Sequence, residues 1–136
     1  MENCIFCKII SGDIASATIL ENDEFKVILD RFPATKGHVL VLPKEHYANI
    51  FEIDPDLGGR LFTLAIRIAG IVKKATGVTD MNILQNNGPL AGQTVDHFHL
   101  HIIPRYEGDS VSVKWPQMDL TDEQIEEIRL SIASLL

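Results

Sequence analysis

His97-Phe98-His99-Leu100-His101-Ile102-Ile103, followed directly by Pro104-Arg105, decides how this chain is read. Strict alternation of histidine and apolar residues is the pattern of a β-strand, in which successive side chains point to opposite faces. Phe98, Leu100 and Ile102 then enter a core, and His97, His99 and His101 line the opposite face at a spacing of roughly 6–7 Å. Imidazoles at that spacing suit a group that bridges neighbouring rings, either a phosphate or a metal ion. Three of the chain's five histidines fall within five residues, which sets the row apart from a passive, solvated histidine ladder. A three-histidine metal site is the rival reading, since imidazole is a common zinc ligand. Catalytic sites of that kind usually draw a ligand from elsewhere in the fold, which favours phosphate.

The upstream segment Asn86-Asn87-Gly88-Pro89-Leu90-Ala91-Gly92-Gln93-Thr94-Val95-Asp96 supports phosphate. It is dense in turn formers. Gly92 permits close approach of the backbone to a ligand, Gln93 and Thr94 add an amide and a hydroxyl, and backbone N–H groups in such a loop form an anion-binding concavity. A neutral imidazole is nucleophilic at neutral pH once its tautomer is set. If His99 donates Nδ1–H to a backbone carbonyl, Nε2 is free for in-line attack on phosphorus. No Walker-type Gly-Lys-Ser/Thr motif and no carboxylate-rich metal cage is present in the sequence, so magnesium is not invoked.

With 136 residues and a net charge of −7, the chain suits one domain with a real core. The acidic balance argues against nucleic acid and anionic membrane as partners. Local groups must then attract phosphate, and Lys36, Lys44 and Arg105 are candidates. No apolar run approaches a membrane span and the N-terminus lacks a basic, apolar leader, so a cytoplasmic location is expected.

Cys4-Ile5-Phe6-Cys7 admits three readings. A Cys-x-x-Cys pair can be redox-active, but that usually follows a strand and opens a helix, and no strand precedes it here. Two buried core thiols are the plain alternative. Half of a zinc site is the third, and it needs two further ligands.

A short helix is expected over 5–11, ended by Gly12. Strands are expected near 17–21, 25–30, 38–43, 81–86 and 97–103. Asp54 suits the N-cap and Pro55 the first position of a long helix stopped by Gly77. Leu57, Leu61, Leu64, Ile68, Ile71, Val72 and Ala75 follow helical spacing, and Phe62, Ile66 and Ala69 form a second apolar face that suggests a partner. Thr121-Asp122-Glu123-Gln124 is a capping box; Ile125, Ile128, Ile132 and Leu135 follow it, as in a helix docked on its own domain.

Residues 97–103 together with residues 4–10 and Gly37-His38-Val39-Leu40-Val41-Leu42-Pro43-Lys44-Glu45-His46 resemble the histidine-triad (HIT) family, in its bacterial type. The resemblance covers residues 3 to about 107 and leaves 108–136 as a variable tail. It implies a single α+β domain over 1–136 with an antiparallel five-stranded sheet, one long helix and a C-terminal helix. It implies a nucleotide hydrolase or transferase that cleaves at the α-phosphate of purine nucleoside phosphoramidates or related conjugates through a nucleotidyl-histidine. The same motifs also resemble the dinucleoside polyphosphate hydrolase branch, and a nucleotide-binding sensor or adaptor is a third possibility.

Carried over residue by residue, His99 stands at the nucleophile, His101 and Gln93 at the groups that hold the phosphate, and Thr94 near the leaving group. Asp30 stands where a carboxylate grips the ribose hydroxyls, with Asn86 nearby. His38 is a further pocket histidine, and Ile5 and Phe6 are apolar residues against the base. Arg31 departs from the apolar residue that many relatives carry. The resemblance further implies a homodimer through the long helix and an adjoining strand, and a tail that can reach the partner's site; Trp115-Pro116 suits either that reach or an ordinary packing role. Zinc-binding relatives imply the ligand set Cys4, Cys7, His46 and His97 in a closed, structural site, which conflicts with a catalytic role for His97.

Overall fold

β-branched and leucine-rich runs form the centre of the molecule. The computed structural model describes residues 3–136. In chain order it contains α1 (Ile5–Ser11), β1 (Thr18–Glu21), β2 (Phe25–Leu29), β3 (Val39–Pro43), α2 (Pro55–Thr76), β4 (Asp80–Leu84), a 3₁₀ turn (Pro89–Ala91), β5 (Leu100–Arg105) and α3 (Asp122–Ala133). The strands make one antiparallel sheet in the order β1-β2-β3-β5-β4, the α+β fold expected.

Both faces of the central strands are covered, and period-two alternation sorts their residues. Phe25, Val27, Val39, Val41, Phe98, Leu100 and Ile102 pack under α2, whose buried stripe is Leu57, Leu61, Ala65, Ile68 and Val72. Ile28, Leu40 and Leu42 point the other way and meet Phe6 and Ile9 of α1. His101 of β5 and His99 just before it emerge on this second face.

Local chemistry sets the ends of α2 where the sequence puts them. The Asp54 carboxylate accepts the Leu57 N–H at 3.0 Å, Pro55 occupies the first turn, and Gly77 stops the helix at φ 75°, a conformation that costs other residues a Cβ clash. Of the second apolar face, Phe62 and Ile66 are exposed, whereas Ala69 packs against the core.

Two expectations shift. The strand near 97–103 begins only at Leu100 and runs on through Pro104 to Arg105. Its first part leaves the ladder because Phe98 donates its N–H to the Tyr47 carbonyl at 2.7 Å instead of to a neighbouring strand. The C-terminal helix has its capping box, with Thr121 and Gln124 bonded reciprocally, but it does not dock on its own domain. None of its residues is buried, and Ile125, Ile128 and Ile132 are exposed. Helical spacing shows that α3 is amphipathic, not what covers its apolar side. No helix among the described residues is long and apolar enough to cross a membrane.

Candidate functional site

Strand β5, the loop before it and the ends of β2 and β3 converge with α1 on a cavity of about 620 Å³. Its lining includes Ile5, Phe6, Asp30, Thr94, His99 and His101. His97, Asn86, Gln93, Gly92 and His38 are not among the lining residues. Arg31, Phe32 and Pro33 complete one rim; the turn-forming run after β2 is the signal that marks them. Lys36, Lys44 and Arg105 do not reach it. Lys44 pairs with Glu21 and Arg105 with Asp109.

Hydrogen-bond partners set the tautomer of each histidine. A carbonyl only accepts, so the 2.7 Å contact between His99 Nδ1 and the His97 carbonyl places the proton on Nδ1 and the lone pair on Nε2. A second chain of bonds orients His101. The Ala34 N–H donates to His38 Nδ1 at 2.9 Å, so the His38 proton is on Nε2, from which it donates to His101 Nδ1 at 2.9 Å. His101 then carries its own proton on Nε2. No buried polar side-chain atom among the described residues lacks a partner, so the unpartnered Nε2 atoms of His99 and His101 are open to the cavity. One is an acceptor and the other a donor, on rings whose centroids lie 4.8 Å apart.

Burial keeps these rings neutral. It pushes the His99 pKa below the ordinary histidine value, with the His97 carbonyl bond opposing. His101 is pushed down to about 4, mainly by burial and then by His99 and His38. Burial also lowers His38, against the pull of Asp30. The Phe6 ring meets His99 edge-on at 4.9 Å.

Asp30 directly follows β2, with one carboxylate oxygen accepting the Phe32 N–H at 2.9 Å and the other 3.6 Å from His38 Nε2. It lines the cavity with lone pairs to spare. Gln93 is buried and its amide is fully engaged: Oε1 accepts the Gly88 N–H, and Nε2 donates to the carbonyls of Ala48 (2.6 Å) and Val95 (3.0 Å). In this arrangement it has no N–H left for an anion. Gly92 sits at φ 90°, and a Cβ built there would be 3.5 Å from Asn86 Nδ2, so the two residues brace the same loop.

His97 faces elsewhere. It is fully buried and donates Nε2–H to the Pro43 carbonyl at 2.8 Å, which leaves a lone pair on Nδ1. That atom lies 3.5 Å from the sulfurs of Cys4 and Cys7 and 3.2 Å from His46 Nδ1; His46 Nδ1 is 3.3 Å from Cys7 Sγ. A tetrahedral zinc ion with ordinary bond lengths requires edges of about 3.3 Å between nitrogens and about 3.6 Å between nitrogen and sulfur. The four ligand atoms lie within 4.8 Å of one another and the measured edges match that tetrahedron. The Cys7 thiol is pushed up by burial and by Cys4 beside it, a repulsion that a divalent cation reverses. The donor set fits zinc, and both nitrogens of His97 are used away from the cavity, so the direct catalytic role that the triad pattern suggests for His97 has no atom to carry it.

The profile of the HIT domain matches residues 11–108. A HIT family protein of Bacillus subtilis, 42% identical, has a crystal structure that superposes with a TM-score of 0.91 over 98% of this chain and 97% of that one. The chain is 39% identical over 133 residues to an adenosine 5'-monophosphoramidase of Schizosaccharomyces pombe, covering 97% of each. A zinc-bound histidine triad family protein of Mycobacterium smegmatis is 35% identical, with a TM-score of 0.77 over 98% of this chain and 96% of that one. His99 and His101 at the start of β5, the cavity they face and these likenesses along nearly the whole length agree: the chain belongs to the HIT domain family of histidine triad proteins.

Proposed function

We propose that the protein hydrolyses nucleotidyl conjugates, purine nucleoside phosphoramidates first among them, at the α-phosphorus. The observation that carries the reading is the opposed tautomers of His99 and His101 on one cavity wall. His99 Nε2 attacks phosphorus, an N–P bond forms, and the bond to the leaving group breaks. His101 Nε2–H donates to a non-bridging oxygen as negative charge builds up, the kind of preorganised donor that contributes most in a dry site. Thr94 supplies a hydroxyl near the leaving group. Water then attacks the nucleotidyl-histidine and frees His99. Asp30 accepts from the ribose hydroxyls, Ile5 and Phe6 hold the base, and His38 fixes the tautomer of His101. Gln93, Asn86 and Gly92 shape the loop that ends at Thr94.

Cys4, Cys7, His46 and His97 hold zinc, which ties the start of α1 to the segment before β5 that carries the nucleophile. The protein acts as a homodimer in the cytoplasm. A denaturing quench of the reaction with a nucleoside phosphoramidate, followed by peptide mass analysis, tests the chemistry: a nucleotidyl group is expected on His99. Turnover without any adduct on this residue, under conditions that trap one on a phosphoramidate-cleaving relative, overturns the assignment. Metal analysis of protein purified without chelator should find about one zinc per chain.

A further inference from the structure

The thiols of Cys4 and Cys7 are not sealed in the core. Both are half-buried, and a second cavity of about 420 Å³ opens on Cys4 and His46. Ile5, Thr94 and Val95 line this cavity and the substrate cavity alike, so a small solute that reaches the sulfurs does so beside the nucleotide pocket. The two sulfurs lie within 4.8 Å of each other, on either side of the single turn that carries Ile5 and Phe6. A disulfide needs them about 2.05 Å apart. Closing that gap moves the turn, and with it the Phe6 ring that abuts His99. The same cluster holds the side chain of His97, whose carbonyl takes the Nδ1 proton of His99.

We propose that Cys4 and Cys7 form a redox modification site, at which a peroxide converts the zinc-bound dithiolate to an intramolecular disulfide, releases the metal and loosens the nucleotide pocket. One thiolate attacks a peroxide oxygen, the O–O bond breaks, and a sulfenic acid and water result once a proton is taken up. The second thiolate attacks that sulfur, the S–S bond forms, and the hydroxyl leaves as a second water with a further proton. Two electrons pass from the sulfurs to the peroxide, and two protons come from solvent. The zinc ion departs because a disulfide is a poor ligand and two imidazoles alone do not close a structural site. The effect on the pocket rests on the nucleotide reading given above; the sulfur chemistry does not.

The test uses the full zinc-loaded chain and hydrogen peroxide. Intact mass should fall by two hydrogens, a chromophoric chelator should register about one zinc released per chain, and the AMP dissociation constant should rise about tenfold, the scale of one weakened apolar contact. A dithiol reductant followed by zinc should restore all three. Thiols and metal retained at peroxide levels that oxidise a free dithiol overturn the proposal, as does a disulfide formed with AMP affinity unchanged. Reduced protein that holds no zinc overturns the metal reading and this proposal with it. Reduced, zinc-loaded protein that fails to bind AMP overturns the nucleotide reading instead, while mass and metal release still report on the cysteines.

Discussion

His99, just before β5, and His101, on it, have opposite hydrogen-bonding roles, and their substitutions should separate accordingly. His99→Asn removes the attacking lone pair, so turnover of an adenosine phosphoramidate should fall by many orders of magnitude while AMP still binds. His101→Ala removes one donor to the developing charge and should cost about 10²–10³-fold. Equal losses in the two variants would contradict the roles. Acidity should inhibit late. Burial lowers the pKa of His99, so the nucleophile stays neutral below the usual histidine titration, and the acid limb of kcat/KM should lie below about pH 6.5. Stability follows the same sign. His101 titrates near 4 when folded and near 6.5 unfolded, so the unfolded chain binds more protons between those values. The folded state should be at full strength above about pH 6.5. It should weaken as pH falls toward 4, by up to about 1.4 kcal/mol per pH unit for this residue. Denaturant midpoints across that range check the slope.

The turn between β2 and β3 is where a single backbone position controls several elements. Gly37 has φ 91°, and a Cβ there would meet Thr76 Cγ2 at 3.0 Å and Pro104 Cγ at 3.3 Å. It thereby lets the end of α2 and strand β5 close on the turn that delivers His38. Gly37→Ala combines backbone strain with steric pressure on two elements and should destabilise by about 1–3 kcal/mol, read from chemical denaturation. Because His38 follows directly and orients His101, turnover should fall more than nucleotide binding in the fraction that folds. A variant as stable as the parent would show that the turn can rearrange. The caps of α2 and α3 were legible in the sequence because a cap is made by residues three apart: Asp54 with Leu57, Thr121 with Gln124. The start of β5 was not, because the bond that draws Phe98 off the ladder comes from Tyr47.

The whole molecule exposes apolar surface that a lone chain does not cover. Phe62 and Ile66 project from α2, Ile83 from the edge strand β4, and Ile125, Ile128 and Ile132 from α3. Soluble monomers generally avoid large patches of this kind, and symmetric pairing is the commonest remedy. Sedimentation at micromolar concentration should give the mass of two chains, and Ile66→Asp should shift it toward one. A single-chain mass for the parent protein would count against the dimer.

The α+β class with its antiparallel sheet came from the resemblance to the HIT family; alternation along residues 97–103 separated Phe98, Leu100 and Ile102 from His99 and His101, and the helical spacing after Asp54 marked the buried stripe of α2. The last two follow from backbone periodicity, which a sequence carries openly. The proton on His99 was likewise within reach, since its partner is the carbonyl two residues back. Tertiary structure alone decided the rest. His97 belongs to the same row, yet its ring is claimed by Pro43, Cys4, Cys7 and His46. The Gln93 amide is taken by Ala48 and its own loop, and the tautomer of His101 depends on His38 and Ala34. Periodicity says which way a side chain points, but the role of a ring nitrogen or an amide is set by whichever group meets it, and those groups arrive from distant parts of the chain only when it folds.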